Sequence, residues 1–366
     1  MTTSGDSSGQ ARREEGFPVG YYYLHPDVSV NYQMNRFSTG EADMMDEIRA
    51  VVPRIHDYND YTREFLALAQ DALGRGEKLK GAYYLRSAEF YMFGDDPRRQ
   101  ATRRQFLQLM REHYGFQDNG HFDVPYETGA LSSFRSAPPQ PRGTIVIFGG
   151  FDGYIEELFP MQHYFGRAGY DVVSFDGPGQ GVALEDGHLA MTHEWHKPVT
   201  AVLDHFHLDE VTLIGVSLGG CLAVRAAAYE PRVRRVVADD IFTDYSEITL
   251  ARLKLAQRAE LSMLLKMGAD HIVNTVVERA LKDSLVMEWG GPAGNLRNRR
   301  QNPGRVAQPD APVPHRRRVP ADRAGCPAAG GGPKTITFRC TSSPTRSARG
   351  PRVCSPDKNR HTSTSR

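Results

Sequence analysis

The stretch VTLIGVSLGGCLAVRAAAYEP, positions 211–231, restricts the fold of this chain more than any other. An apolar run, Val211–Gly215, leads into Gly215-Val216-Ser217-Leu218-Gly219, and an Ala-rich helical pattern follows at once. The G-x-S-x-G pentapeptide alone is common by chance. Placed between a buried strand and a helix, it predicts a sharp strand-to-helix turn that exposes a serine. Gly215 and Gly219 permit a backbone approach that a Cβ would block. Ser217 then occupies a strained turn, with a helix N-terminus behind it that favours developing negative charge. A plain glycine-rich turn with a capping serine is the alternative.

Such a turn needs a helix-covered sheet, and the flanking sequence predicts one. Thr144–Phe148 (TIVIF), Tyr170–Phe175 (YDVVSF), Val211–Gly215 and Val233–Ala238 (VRRVVA) are short apolar runs. Helical stretches near 155–168, 192–206 and 218–229 separate or follow them. Strands alternating with helices imply βαβ crossovers and a mostly parallel α/β sheet covered on both faces. Upstream, FDVPYETGALSSF alternates and predicts a hairpin turning near Thr128-Gly129. Residues 41–115 carry helical spacing, with one stripe at Leu66, Leu68, Ala69, Ala72 and Leu73 and later ones around Ala82–Tyr91 and Phe106–Met110. Asp95-Asp96-Pro97 reads as a helix start. Tyr21–Phe37 is aromatic-rich and expected to pack on a neighbour. Helical periodicity returns over 243–289, where a lid would insert after the sixth strand.

Composition divides the chain. Residues 290–366 hold 14 Arg and 2 Lys against 3 Asp and no Glu, while residues 1–289 hold 29 basic against 41 acidic side chains. The overall net charge of +1 is therefore an average of two unlike parts. The tail has 9 Gly and 11 Pro but only 7 residues from Leu, Ile, Val, Met and Phe. That is too little apolar area to offset about 1–2 kcal/mol of ordering cost per residue, which predicts disorder. Its Arg, Pro, Gly and Ala bias is also what GC-rich coding DNA yields when read out of frame. The expected organisation is a disordered 1–20, a helical N-terminal module over 21–118, an α/β core over 119–289 with its lid, and a disordered tail over 290–366. Only Cys221 lies in the first 289 residues, so the body reads as a reduced, cytoplasmic protein without a disulfide framework. No secretory h-region opens the chain and no apolar run is long enough to span a bilayer.

Two loops fit the same site as Ser217. Ile147-Phe148-Gly149-Gly150-Phe151-Asp152 ends the first long strand with paired glycines, and Asp176-Gly177-Pro178-Gly179-Gln180-Gly181 follows the next strand. A simple tight turn is the alternative for the first. A rigid loop shaping the pocket floor is the favoured reading of the second.

GGFDGYIEE, FDGPGQG and GVSLGG, at these separations and after a helical module, resemble the α/β-hydrolase superfamily. Within it they are similar to the branch containing 2,6-dihydroxypseudooxynicotine hydrolase, related esterases and prolyl-oligopeptidase-like hydrolases. The resemblance covers about residues 20–289. It implies an α/β-hydrolase fold with Ser217 as nucleophile, the backbone N–H groups of Phe151 and Leu218 as oxyanion donors, and Asp152 as an acid assisting at the substrate carbonyl. A loop-capping role for Asp152 stays open. An ester, an amide or an activated C–C bond would be broken, by esterase or C–C hydrolase chemistry, in a small-molecule carbonyl substrate.

The superfamily order is Ser, then Asp or Glu, then His. After Ser217 the chain has only His271, His315 and His361, in the lid and tail. Asp239, Asp240 and Asp244, just past the sixth strand, are weak candidates for the acid, with a strand-end residue that turns the chain as the favoured reading of Asp240. Without an imidazole to take its proton, Ser217 would be a poor nucleophile at neutral pH, so activity impaired by a missing His is expected. The alternative is an inactive α/β-hydrolase-like binding protein or a truncated remnant. No metal or organic cofactor is implied, since the serine supplies the covalent step; His193-Glu194-Trp195-His196 lacks the spacing that puts two His on one helix face. The aromatic N-terminal segment hints at an aromatic substrate. No nucleic-acid or membrane partner is expected, and a homodimer is left open.

Overall fold

The computed structural model describes residues 22–38, 43–93, 96–117, 119–239, 258–259, 263–264 and 267, together with the backbone of 335–339. Five helices come first: α1 (Val28–Arg36), α2 (Met44–Val51), α3 (Tyr58–Gly74), α4 (Lys78–Phe90) and α5 (Arg99–Tyr114). Their ends follow local chemistry. Asp27 and Asp57 accept from the backbone of Val30 and Asp60 at 2.9 and 2.8 Å, capping α1 and α3. Asp96 accepts from the Arg98 N–H at 2.9 Å just ahead of α5, whereas Asp95 lies outside the described residues.

Helices α3 and α4 pack most closely, and a Cβ on Gly81 would come 2.7 Å from the Leu73 side chain. Helix α4 is buried without interruption from Lys80 to Phe90, charged residues included. In α3 the buried face runs through Tyr58, Tyr61, Phe65, Ala69 and Ala72, while Leu66, Leu68 and Leu73 are only partly covered. The expected stripe is thus rotated, because aromatic rings fill the space between α3 and α4. In α1, Val30, Met34 and Phe37 beside it pack inward, and Tyr22, Tyr23 and Tyr32 stay exposed.

The sheet begins with the hairpin β1 (His121–Tyr126) and β2 (Gly129–Ser136), which turns at Glu127-Thr128. Strands β3 (Thr144–Phe148), β4 (Asp171–Phe175), β5 (Val211–Val216) and β6 (Val233–Asp239) follow, with β2 antiparallel to β4 and the others parallel. Between them stand α6 (Phe159–Arg167), the short α7 (Gly181–Glu185), α8 (His196–His205) and α9 (Leu218–Tyr229). Alternation along β3 divides the core: Val146 and Phe148 face Trp195, Val199 and Leu222, while Ile145 and Ile147 face Leu158, Met161 and Phe165.

The tail brings a correction. Thr335–Arg339, placed by composition in a structureless segment, forms β7 and pairs in parallel with β6. TITF alternates β-branched and aromatic residues, which favour a strand, and the average over the tail conceals them. The sheet order is therefore β1-β2-β4-β3-β5-β6-β7. From β3 the chain moves to β4 on one side and then crosses to β5 on the other. The strand order reverses there, and in open α/β sheets the crevice at the carboxyl ends of such strands is where ligands bind. The expected lid over 243–289 and the remainder of the tail lie outside the described residues, apart from the few named above.

Candidate active site

Ser217 occupies the end of β5 at that reversal, between Val216 and the first residue of α9. Its backbone has φ 58° and ψ −126°, a region L residues rarely adopt and one that costs about 1–3 kcal/mol. The surroundings enforce it. Its N–H donates to the Asp239 carbonyl at 2.8 Å, and its carbonyl accepts from Gly220 at 2.9 Å. The flanking glycines leave no alternative, since a Cβ on Gly215 would strike the Gly219 carbonyl and one on Gly219 would strike the Gly149 carbonyl. Ser217 is half-buried, and its hydroxyl has no hydrogen-bond partner among the described residues.

The loop after β3 meets this turn directly. A Cβ on Gly150 would stand 2.9 Å from the Leu218 nitrogen, the Ser217 Cβ and the Val216 oxygen alike. Leu218 is the first residue of α9, so its N–H is one of the donors a helix leaves unused. Phe151 follows Gly150 and is half-buried. Ser217, Leu218 and Phe151, chosen from sequence, are thus brought into one place. Asp240 and Asp244, with His271, His315 and His361, lie outside the described residues.

Asp152 is held by the helical module. Its carboxylate stands 3.1 Å from Arg36, and its carbonyl accepts from Arg86 at 2.7 Å. Arg86 also pairs with Glu157 and Glu89, both at 2.7 Å, and Arg36 pairs with Glu157 at 2.8 Å. Arg99 joins Glu89 to Glu185, the last residue of α7. The Arg86 side chain is only 2% exposed, so these partners are needed to hold a buried charge. Burial pushes Glu157 up, but the charges of Arg36 and Arg86 more than offset this and hold it below its ordinary value. Arg86 and Glu89 interrupt the apolar run AYYLRSAEFY, and that interruption is the signal of this network in the sequence.

The Asp176–Gly181 loop fastens the same segment from the sheet side. Asp176 accepts from the Ile155 and Val182 N–H groups at 3.0 and 2.9 Å. Burial first, and then the charge of Glu156, push Asp176 well above the usual carboxylate range. Gln180 donates to the Gly149 and Gly150 carbonyls. This agrees with a rigid loop shaping the site floor. Among the described residues no three His, Cys, Asp or Glu side chains are grouped to hold a metal ion. A cavity of about 460 Å³ lined by Tyr114, Phe116, Gln162 and His163 shares no residue with the serine turn or the loop beside it.

Residues 143–263 match the family model described as alpha/beta hydrolase fold. The chain is 30% identical over 259 residues to Hydrolase acrC of Aspergillus aculeatus, covering 57% of this chain and 59% of that protein. It is 31% identical over 229 residues to 20-hydroxy-prefusarin hydrolase FUS2 of Gibberella moniliformis, covering 54% of each. The solved 2,6-dihydroxy-pseudo-oxynicotine hydrolase is 22% identical, covering 60% of this chain and 66% of that one, with a TM-score of 0.45. The chain spans between half and three-fifths of the length of these two curated relatives. Among the described residues no helix is long and apolar enough to cross a membrane.

Proposed function

We propose that the chain, whose residues 143–263 match the alpha/beta-hydrolase-fold family model, is a serine-dependent hydrolase acting beside a carbonyl group of a small molecule. The Ser217 oxygen adds to the carbonyl carbon while its proton passes to a base, and the carbonyl electron pair moves onto oxygen. The Leu218 and Phe151 N–H groups receive that oxyanion in a preorganised setting. Collapse breaks the C–O, C–N or C–C bond, and the departing oxygen, nitrogen or stabilised carbanion takes the proton from the base, leaving as an alcohol, an amine or a C–H compound while Ser217 stays acylated. Water then adds to the acyl carbon, the bond from that carbon to the Ser217 oxygen breaks, a proton returns to that oxygen, and a carboxylic acid is released.

Asp152, placed by Arg36, is the auxiliary group at the substrate carbonyl. The family's chain order calls for an acid and a base beyond β6, where Asp240 and Asp244 are the acid candidates and His271, His315 and His361 are the remaining imidazoles; activity is impaired if none of the three reaches Ser217. Single observation carries this reading: a serine at φ 58°, half-exposed, at the point where the strand order reverses. Relatives named as hydrolases, one of them for 20-hydroxy-prefusarin, support hydrolysis as the reaction.

The test is turnover of aryl esters, anilides and 1,3-diketones by the intact chain and by Ser217→Ala. Loss of turnover in the folded variant, by about 10³-fold or more, is expected. Equal turnover in both chains would overturn the serine assignment. A folded chain that binds these compounds without turning them over would be the inactive binding protein instead.

A further inference from the structure

We propose that Gln180 is a positioning residue for the oxyanion-binding peptide, acting through the Gly149 and Gly150 carbonyls. The inference rests on the serine-hydrolase reading above. Gln180 is 1% exposed, and every polar atom of its side chain is used. Its Nε2 donates to the Gly149 oxygen at 2.7 Å and to the Gly150 oxygen at 2.9 Å. Its Oε1 accepts from the Gly177 N–H at 3.0 Å. A flipped amide would set its oxygen against two carbonyl oxygens, so the orientation is determined.

The consequence follows from peptide geometry. The Gly150 carbonyl and the Phe151 N–H belong to one planar trans peptide and point in opposite directions. Holding the carbonyl therefore aims the N–H. Two successive glycines would otherwise leave this segment broad rotational freedom. One nitrogen bonded to both carbonyls removes it. The Gly149 carbonyl is also confined from the far side, where Gly219 leaves no room for a side chain. The strap is itself rigid. The Gln180 N–H donates to the Gly177 carbonyl at 2.9 Å, and Asp176 grips Ile155 and Val182. A side chain that only tied two loops together would need one such bond. Gripping both carbonyls beside the Phe151 N–H selects a direction.

Gln180→Met keeps the shape and removes the donors; Gln180→Glu keeps the acceptor toward Gly177 and turns the donor into an acceptor. Both are compared with the full wild-type chain labelled with ¹⁵N-phenylalanine, the Phe151 amide being assigned by its loss in Phe151→Leu. The expected result is a shifted, broadened or doubled Phe151 resonance in each folded variant, with Phe148 and Phe175 unmoved. The maximal rate of aryl fluorophosphonate addition to Ser217 falls by about 10- to 100-fold, less than for outright removal of an oxyanion donor, while half-saturation is unchanged. An unchanged Phe151 amide in the variants, or addition within about twofold of wild type, overturns the proposal. A wild-type chain that takes no probe defeats the serine reading by itself, and the Phe151 resonance still decides whether Gln180 orients the peptide.

Discussion

Gly150 and Leu218 meet so closely that a Cβ on Gly150 would lie 2.9 Å from the Leu218 nitrogen. This contact joins the end of β3 to the start of α9 and brings the segment that leads into Phe151 against the Leu218 nitrogen. Gly150→Ala must therefore displace backbone, because none of the three nearest atoms is the end of a flexible side chain. The expected cost is about 1–3 kcal/mol of stability, read as a lower urea midpoint, with at least a tenfold slower reaction at Ser217. Unaltered stability and rate would mean that the two segments are not in contact.

Arg86 connects the helical module to the site. Replacing it by Leu leaves the buried Glu89 and Glu157 short of a partner and the Asp152 carbonyl without its donor. A destabilisation of about 3–5 kcal/mol is expected by chemical denaturation. A change below about 1 kcal/mol would show that the network contributes little.

Glu230 contributes a pH dependence to stability. Hydrogen bonds from Arg232, and then from Thr200, draw its carboxyl from 4.5 to about 2 despite the opposing effect of burial. The folded value lies below the unfolded one, so the stabilisation is fully present above about pH 4.5 and is lost as pH falls toward 2. Glu230→Gln should be less stable than wild type by about 2 kcal/mol at pH 7, and the gap should close across that window. A gap that stays constant down to pH 2 would contradict the assignment.

Much of the architecture was legible because its signals are local. TIVIF and VTLIG alternate or run apolar over strand length, and GVSLGG carries its own turn chemistry. What escaped notice is carried by contacts between distant segments. Nothing in the local sequence marks Arg36, Arg86 and Glu157 as partners, because their pairing depends on α4 being buried all round. The DGPGQG loop was legible as a rigid floor, but nothing in it says that the Gln180 amide reaches two carbonyls of another loop. Short helix α7 was missed because five residues show no period. Strand β7 was missed because TITF is too brief to alter the composition around it.

The tail leads to a prediction at the level of the gene. If a frameshift near Gly290 replaced the native sequence, one of the other two reading frames past codon 290 encodes a strand–helix pattern containing an acid and a later His. Nucleotide sequencing from codon 280 onward checks this. Absence of that pattern from both frames would overturn the frameshift and leave His271, His315 and His361 as the imidazoles beyond Ser217.

The most direct measurement is intact and peptide mass spectrometry of the folded chain after exposure to an aryl fluorophosphonate. A single phosphonyl adduct located on Ser217, and absent from Ser217→Ala, is the expected result. A folded wild-type chain that remains unmodified, or one modified at another residue, would contradict the assignment of Ser217 as the nucleophile.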